Sequence, residues 1–315
     1  MFELVFLGTA ASAPTVERNL SAAVLLHRDR RFLIDCGEGT QRQIMRSGLG
    51  FKRLDMILLT HGHLDHILGL GGIAATMARW GNLSQMTIHG GRWALERVQA
   101  LMNVVLRGDE IDLEVRYVPL QPGTILADEH LRISALPVSH RGPGNFGFVF
   151  EEPDRRPFLA DKAADLGVPA GPERRRLVQG EVVTLPDGRA IGPDDVLGPV
   201  QRGTKLAYIG DAARADNLVE AIQGADALVI EATYLDTDAE LARQFGHLTA
   251  LEAAKLARDA NVSRLYLTHV SQRYSTAAIQ EEASTVFPAS TVASDMDRFV
   301  VKRNGEGRDS CLPAS

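Results

Sequence analysis

From position 61 to 66 the chain reads His61-Gly62-His63-Leu64-Asp65-His66, three imidazoles and a carboxylate in six residues. The segment 56–59 before it is a short apolar strand. The segment 67–80 after it is helical, with Leu70, Ile73, Ala74 and Met77 on one face. Polar ligand types between two apolar segments serve no packing purpose, so the unit points to metal binding. Alternate residues of extended backbone project to one side, so His61 and His63 can reach one ion. Asp65 and His66, past the bend, are placed for a second.

Zinc takes four nitrogen and oxygen ligands, and a catalytic site leaves one position for water. Four residues cannot complete two such sites, so further ligands must come from elsewhere. Three candidates each follow an expected strand: His140 after 131–136, Asp211 after 205–209 and His269 after 265–267. The resulting assignment gives His61, His63 and His140 to one ion and Asp65, His66 and His269 to the other, with Asp211 bridging. Taken singly, Asp211 fits equally well as an N-cap ahead of Ala212 and Ala213.

Two divalent cations outweigh two carboxylates even with a hydroxide between them, so the cluster stays positive and attracts an anionic phosphodiester. Lowering the pKa of a bound water from about 15.7 to about 7 is worth roughly 12 kcal/mol at about 1.36 kcal/mol per unit. Upstream, Gly37 and Gly39 beside Asp35 suggest a close-approach loop, with Asp35 orienting a ligand histidine. Arg273 and Tyr274, just past His269, suit either substrate contact or bracing of the loop.

These residues need a scaffold that delivers strand ends to one place. Apolar strand patterns occur at 2–7, 22–26, 31–34, 86–89, 115–118, 131–136, 146–150, 205–209, 227–230 and 265–267. Helical patterns occur at 40–47, 93–105, 214–223, 249–259 and 276–283. The stretch 151–200 differs: it holds seven of the 14 prolines, which argues against a continuous sheet, with a small hairpin expected around Pro186-Asp187-Gly188. The expected organisation is a main domain of 1–150 and 201–303, an insertion at 151–200, and a frayed polar tail at 304–315.

The 315 residues are 45% hydrophobic and 23% charged, a globular composition. With a net charge of -6, any nucleic-acid partner must be met by local patches or metals. Two cysteines, Cys36 and Cys311, make no disulfide framework, and the expected compartment is the cytoplasm. The apolar run at 2–7 has no basic stretch before it and does not resemble a signal peptide. No apolar run approaches the length of a membrane span, so no membrane association is expected.

The motif at 61–66 resembles that of the metallo-β-lactamase fold superfamily, and its context resembles the ribonuclease Z branch, endonucleases that mature transfer RNA 3′ ends. The resemblance rests on Phe6-Leu7-Gly8-Thr9 with Arg18-Asn19, on 34–41 (Ile-Asp-Cys-Gly-Glu-Gly-Thr-Gln) and on 166–172 (Leu-Gly-Val-Pro-Ala-Gly-Pro). It extends through Tyr208-Ile209-Gly210-Asp211, Glu231-Ala232-Thr233, His247-Leu248-Thr249-Ala250 and 267–274 (Leu-Thr-His-Val-Ser-Gln-Arg-Tyr). It implies an αββα sandwich, a metallo-β-lactamase-like fold with an inserted flexible arm. It also implies two zinc ions per subunit on the ligands assigned above, a homodimer, and precursor tRNA as substrate. By the same resemblance Asp65 accepts a proton from the attacking water, and Glu231 with His247 protonates the leaving 3′ oxygen. This chain departs from the pattern at Leu64, where the family has Gly, and at Ile230, where it has His.

The resemblance makes 151–200 the arm that grips tRNA away from the cleavage site and, in the dimer, reaches toward the partner's substrate. Residues 155–205 carry nine Lys or Arg and seven Asp or Glu, a local net of +2. Arg174, Arg175 and Arg176 follow Gly171-Pro172 and are read as a rigid turn presenting a basic cluster to backbone phosphates. A second cluster, Arg28, Arg30 and Arg31, lies on an expected hairpin turn. The function expected is zinc-dependent cleavage of 3′-extended precursor tRNA to leave a 3′-hydroxyl. The rivals are a binuclear hydrolase of cyclic nucleotides, aryl sulfates or lactones, which would not need the arm, and an RNA-binding protein whose metals are only structural.

Overall fold

The computed structural model describes residues 1–54, 56–80, 85–107 and 113–303. The tail expected at 304–315, with Cys311, lies outside the described residues. The strands are β1 (Phe2–Gly8), β2 (Ala22–His27), β3 (Arg30–Ile34), β4 (Met56–Leu58), β5 (Gln85–Gly90), β6 (Glu114–Pro119), β7 (Gly123–Ala127), β8 (Arg132–Pro137), β9 (Phe146–Glu151), β10 (Val183–Thr184), β11 (Ala190–Ile191), β12 (Lys205–Tyr208), β13 (Ala227–Glu231), β14 (Leu265–Thr268), β15 (Ser290–Val292) and β16 (Arg298–Val301).

Two seven-stranded sheets form, ordered β16-β1-β2-β3-β4-β5-β6 and β15-β14-β13-β12-β9-β8-β7. Each is antiparallel in one half and parallel in the other, the parallel pairs being β3–β4–β5–β6 and β12–β13–β14–β15. The two-residue period of β1 explains the layering. Phe2, Leu4 and Phe6 join Phe148, Phe150 and Tyr266 in a core between the sheets, whereas Val5 and Leu7 face outward to Ile73, Met77 and Val98 of the helices Gly69–Trp80 and Arg92–Val105. Helix Ala250–Asp259 covers the other sheet through Ala253, Ala254 and Ala257. Its start is fixed by a capping box between Thr249 and Glu252. The architecture is an αββα sandwich.

The chain divides into two compact units, one of Met1–Glu151 with the chain from Thr204 onward, the other Glu152–Gly203. The smaller unit contains the helices Ala160–Asp165 and Pro172–Val178 and the hairpin β10–β11, packed on Ala163, Val168, Leu177, Ile191 and Val196.

Three expectations need correction. The helix expected at 214–223 is a 3-10 turn at Asp216–Leu218 followed by one helical turn at Val219–Ile222, so Asp211 caps nothing. Arg174, Arg175 and Arg176 lie in helix Pro172–Val178, not on a turn. Helical rotation sends Arg174 inward, where it donates to the Val168 carbonyl at 3.1 Å and lies over the Phe158 ring, while Arg175 and Arg176 stay exposed. The net charge of +2 over residues 155–205 does not carry over to the compact unit, which gains Glu152 and Asp154 and lacks Lys205. Residues 152–203 carry eight Lys or Arg against nine Asp or Glu, a net of -1.

Candidate metal centre and active site

All seven expected ligands lie where strands end. His61 and His63 follow β4, and the second of them immediately precedes the one-turn helix Leu64–Ile67, which carries Asp65 and His66. His140 follows β8, Asp211 follows β12 and His269 follows β14. The parallel order of β12, β13 and β14 puts their carboxyl ends side by side, so Asp211, Glu231 and His269 converge.

The donor atoms of His61, His63, His140 and Asp211 lie within 4.8 Å of one another, as do those of Asp65, His66 and His269. His63 Nδ1 is 2.9 Å from His61 Nε2 and 3.2 Å from His140 Nε2. Asp211 Oδ2 is 3.7 Å from each of His61 Nε2 and His140 Nε2. In the second group His269 Nε2 is 3.4 Å from His66 Nε2 and 3.5 Å from Asp65 Oδ2. Asp211 reaches this group too, with Oδ2 3.4 Å from His269 Nε2 and Oδ1 3.6 Å from His66 Nε2. Ligands held about 2.0–2.1 Å from a tetrahedral zinc are separated by roughly 3.3 Å, so these spacings fit a cation in each group with Asp211 shared. Asp211 Oδ1 is buried with no hydrogen-bond partner among the described residues. A fully desolvated carboxylate oxygen needs a cation or a donor.

The surroundings fix which nitrogen each ring presents. Asp35 accepts from Thr60 N at 2.8 Å, from Thr60 Oγ1 at 2.7 Å and from His66 Nδ1 at 2.8 Å. The Thr60 hydroxyl, its proton committed to Asp35, accepts from His61 Nδ1 at 3.0 Å. His140 Nδ1 donates to the Gly246 carbonyl at 2.7 Å. Thr233 donates to Glu231 and accepts from His269 Nδ1 at 2.9 Å. Each of these four imidazoles therefore commits Nδ1 outward and turns Nε2 into the cluster, the nitrogen left free to bind metal.

Gly37 makes room for the motif: a Cβ there would meet the Asp65 carbonyl oxygen at 2.5 Å. Asp35 and His269 hold left-handed backbone, at φ 55 each. Strain of this kind persists where the surroundings over-determine a residue, as at a functional site.

Electrostatics also favour cations. Burial drives His61 far below the ordinary histidine range, and His66 and His140 add to the effect. Burial and the neighbouring His140 lower His63 to about 4. Burial also opposes a charge on His66, but Asp211 and Asp35 outweigh it and hold that ring well above its usual value.

Beside the cluster, the wholly buried Glu231 receives Ala212 N at 2.7 Å and His247 Nδ1 at 3.1 and 3.0 Å. The His247 ring stacks on His269, with centroids 5.4 Å apart. Burial disfavours the charged form of His247, but Glu231, then Asp211, raise it to about 9. An imidazole oriented by a carboxylate in this way can hand over a proton. Tyr274 donates to Asp238 and so braces its own loop, and Arg273 is exposed. Leu64 is 47% exposed beside Asp65. Ile230 is buried in the core.

Sequence reading missed Thr60, Thr233, Ser12 and Gly246. Ser12 N donates to Asp65 Oδ2 at 3.0 Å from left-handed backbone, φ 60. The signal for the two threonines was their position, one before His61 and two after Glu231. Ser12 and Gly246 act through backbone groups and left none. Arg174, Arg175 and Arg176 lie in the separate unit Glu152–Gly203. Among the described residues no helix is long and apolar enough to cross a membrane.

A family model described as Beta-lactamase superfamily domain matches residues 188–270, and one described as Anti-Pycsar protein Apyc1 matches residues 2–161. The chain is 48% identical to ribonuclease Z of Bradyrhizobium diazoefficiens over 301 residues, 96% of this chain and 100% of that protein. It is 45% identical to ribonuclease Z of Bradyrhizobium sp. strain ORS 278 over the same shares. The crystal structure of human tRNase Z, short form, superposes with a TM-score of 0.68 at 25% identity, over 95% of this chain and 99% of that one. Identity at this level, running the length of both proteins and joined to a donor cluster suited to a pair of cations, places the chain in the ribonuclease Z family, metallo-hydrolases built on the metallo-β-lactamase fold.

Proposed function

We propose that this protein is an endoribonuclease that cleaves 3′-extended precursor tRNA near the discriminator or CCA end, leaving a 3′-hydroxyl, with two zinc ions per subunit. The observation that carries the proposal is the paired donor set sharing Asp211, in a chain 48% identical to a ribonuclease Z. Five imidazoles among the donors suit zinc over magnesium or calcium. When bound, the two ions would supply an acidified water and a positive field for the scissile phosphate.

The chain's own residues do the rest. Asp65, with one oxygen held by Ser12 N, accepts the proton released by the attacking water. His247, oriented by Glu231, delivers a proton to the departing 3′ oxygen, which would otherwise leave as a costly alkoxide. Unit Glu152–Gly203 serves as the tRNA-binding arm, with Arg175 and Arg176 meeting backbone phosphates and Arg174 acting from within the same helix. The enzyme works as a cytoplasmic homodimer in which each arm reaches the partner's substrate, as the family resemblance implies.

The test is cleavage of a 3′-extended precursor, with product ends mapped and bound metal counted. The expected outcome is a 3′-hydroxyl at the tRNA end and two equivalents of zinc per chain. A 3′-phosphate product, one metal equivalent, or turnover confined to cyclic nucleotides would overturn the proposal.

A further inference from the structure

Four of the five ligand imidazoles have their outward nitrogen held by an oxygen. His63 is the exception. It turns Nδ1 inward, and no oxygen of the described residues holds its Nε2. What meets this ring instead is Trp93, perpendicular to it at 90° with centroids 5.7 Å apart.

Trp93 lies in the first turn of helix Arg92–Val105 and is itself braced. Arg97, one turn later, places its guanidinium carbon 5.1 Å from the Trp93 ring centroid and donates through Nη1 to the Gly62 carbonyl at 2.8 Å. The indole also lies against two glycines: a Cβ on Gly62 would come within 2.8 Å of it, and one on Gly142 within 3.0 Å. Gly62 separates His61 from His63, and Gly142 follows His140 by two residues. The wedge therefore touches both loops that supply the first ion's three histidines, and neither loop tolerates a side chain at the contact.

We propose that Trp93 is a positioning residue for the first metal site, its perpendicular contact with His63 replacing the hydrogen bond that holds each of the other ligand rings. The proposal rests on the metal reading of the cluster. Perpendicular aromatic contacts hold a ring in one orientation, and the groups that orient a ligand set its metal affinity. Trp93 makes its ring contact with His63, whereas the rings of His66 and His269 in the second set meet each other and His269 meets His247. The effect of Trp93 should therefore fall on one equivalent of metal.

The experiment titrates metal-free full-length protein with zinc against a chromogenic chelator and with cobalt by visible absorption. It compares wild type with W93F, W93L and W93M, and follows thermal unfolding of each metal-free form. In W93L and W93M one equivalent is expected to weaken about tenfold while the other stays within about twofold, and W93F to match wild type. Wild-type affinity at both sites in W93L and W93M overturns the proposal, as does equal weakening of both sites, or W93F losing as much as W93L. Loss of the metal-free fold in both aliphatic variants makes Trp93 a core residue and also overturns it. A wild type that binds no metal strikes instead at the reading of the cluster itself.

Discussion

Glu231 and His247 form a pair in which both carboxylate oxygens lie on one ring nitrogen, Nδ1, at 3.1 and 3.0 Å, with the carboxylate wholly buried. The carboxylate has few alternatives: Ala212 N and Thr233 Oγ1 occupy its remaining directions. If this pair protonates the leaving oxygen, its importance depends on how poor the leaving group is. H247A and E231Q should cost about 10²-fold or more in kcat on precursor tRNA, and less than about tenfold on bis(p-nitrophenyl) phosphate, whose leaving group needs no proton. Equal losses on both substrates would assign the pair to holding the metal centre.

The same pair predicts a pH profile. Burial works against the His247 proton, but Glu231 and Asp211 raise its pKa to about 9. Cations at the neighbouring donors can only lower it. The acid form is therefore present at low pH and lost as pH rises through an alkaline limb at or below about pH 9. The kcat profile on precursor tRNA should show this limb in wild type and lack it in H247A. An unchanged limb in the variant would identify another group.

Asp35 accepts three hydrogen bonds from buried donors on Thr60 and His66. D35A leaves all three without an acceptor, with a stability loss of about 3 kcal/mol. The His66 ring loses its anchor at the same time, so metal affinity should fall roughly 10–100-fold. Denaturant unfolding of the metal-free protein checks the first expectation and a chelator titration the second. An unchanged unfolding midpoint would show that water takes over from the carboxylate.

The insertion leaves the sandwich at Glu151 and returns at Thr204, and Glu151 pairs directly with Lys205 across the β9–β12 ladder. The ends to be rejoined are therefore ladder neighbours, a gap that a two- to four-residue turn can close. Replacing 152–203 by such a turn should leave hydrolysis of a small diester within about threefold of wild type. It should also lower kcat/KM on precursor tRNA by about 10²-fold or more, through lost phosphate contacts. Undiminished RNA cleavage would remove the arm from the substrate-binding account.

The candidate metal ligands were legible because they obey a local rule: each lies in the segment that follows an apolar strand, and an imidazole or carboxylate there has no packing use. The groups that set their geometry were not. Thr60 and Thr233 are ordinary residue types whose role depends on a carboxylate 25 residues away for one and on a histidine 36 residues away for the other. Ser12 and Gly246 act through their backbones, which the identity of the side chain does not encode. The hairpin β10–β11 was expected because Pro186-Asp187-Gly188 names its own turn. Strands β7, β15 and β16 were missed because each is a short strand at or near a sheet edge, with little pattern to display. Arg174 was misread because three consecutive arginines look alike in sequence, while a helix rotates each of them differently.

His61, His63, Asp65 and His66 hang from one sheet, and His140, Asp211 and His269 from the other. Neither cation can complete its coordination from a single layer, so each would act as a rivet driven through the sandwich. At a free metal concentration a thousand times the dissociation constant, each rivet would add about 4.1 kcal/mol against unfolding. Metal starvation would thus strike such a protein twice, by emptying its site and by shortening its life.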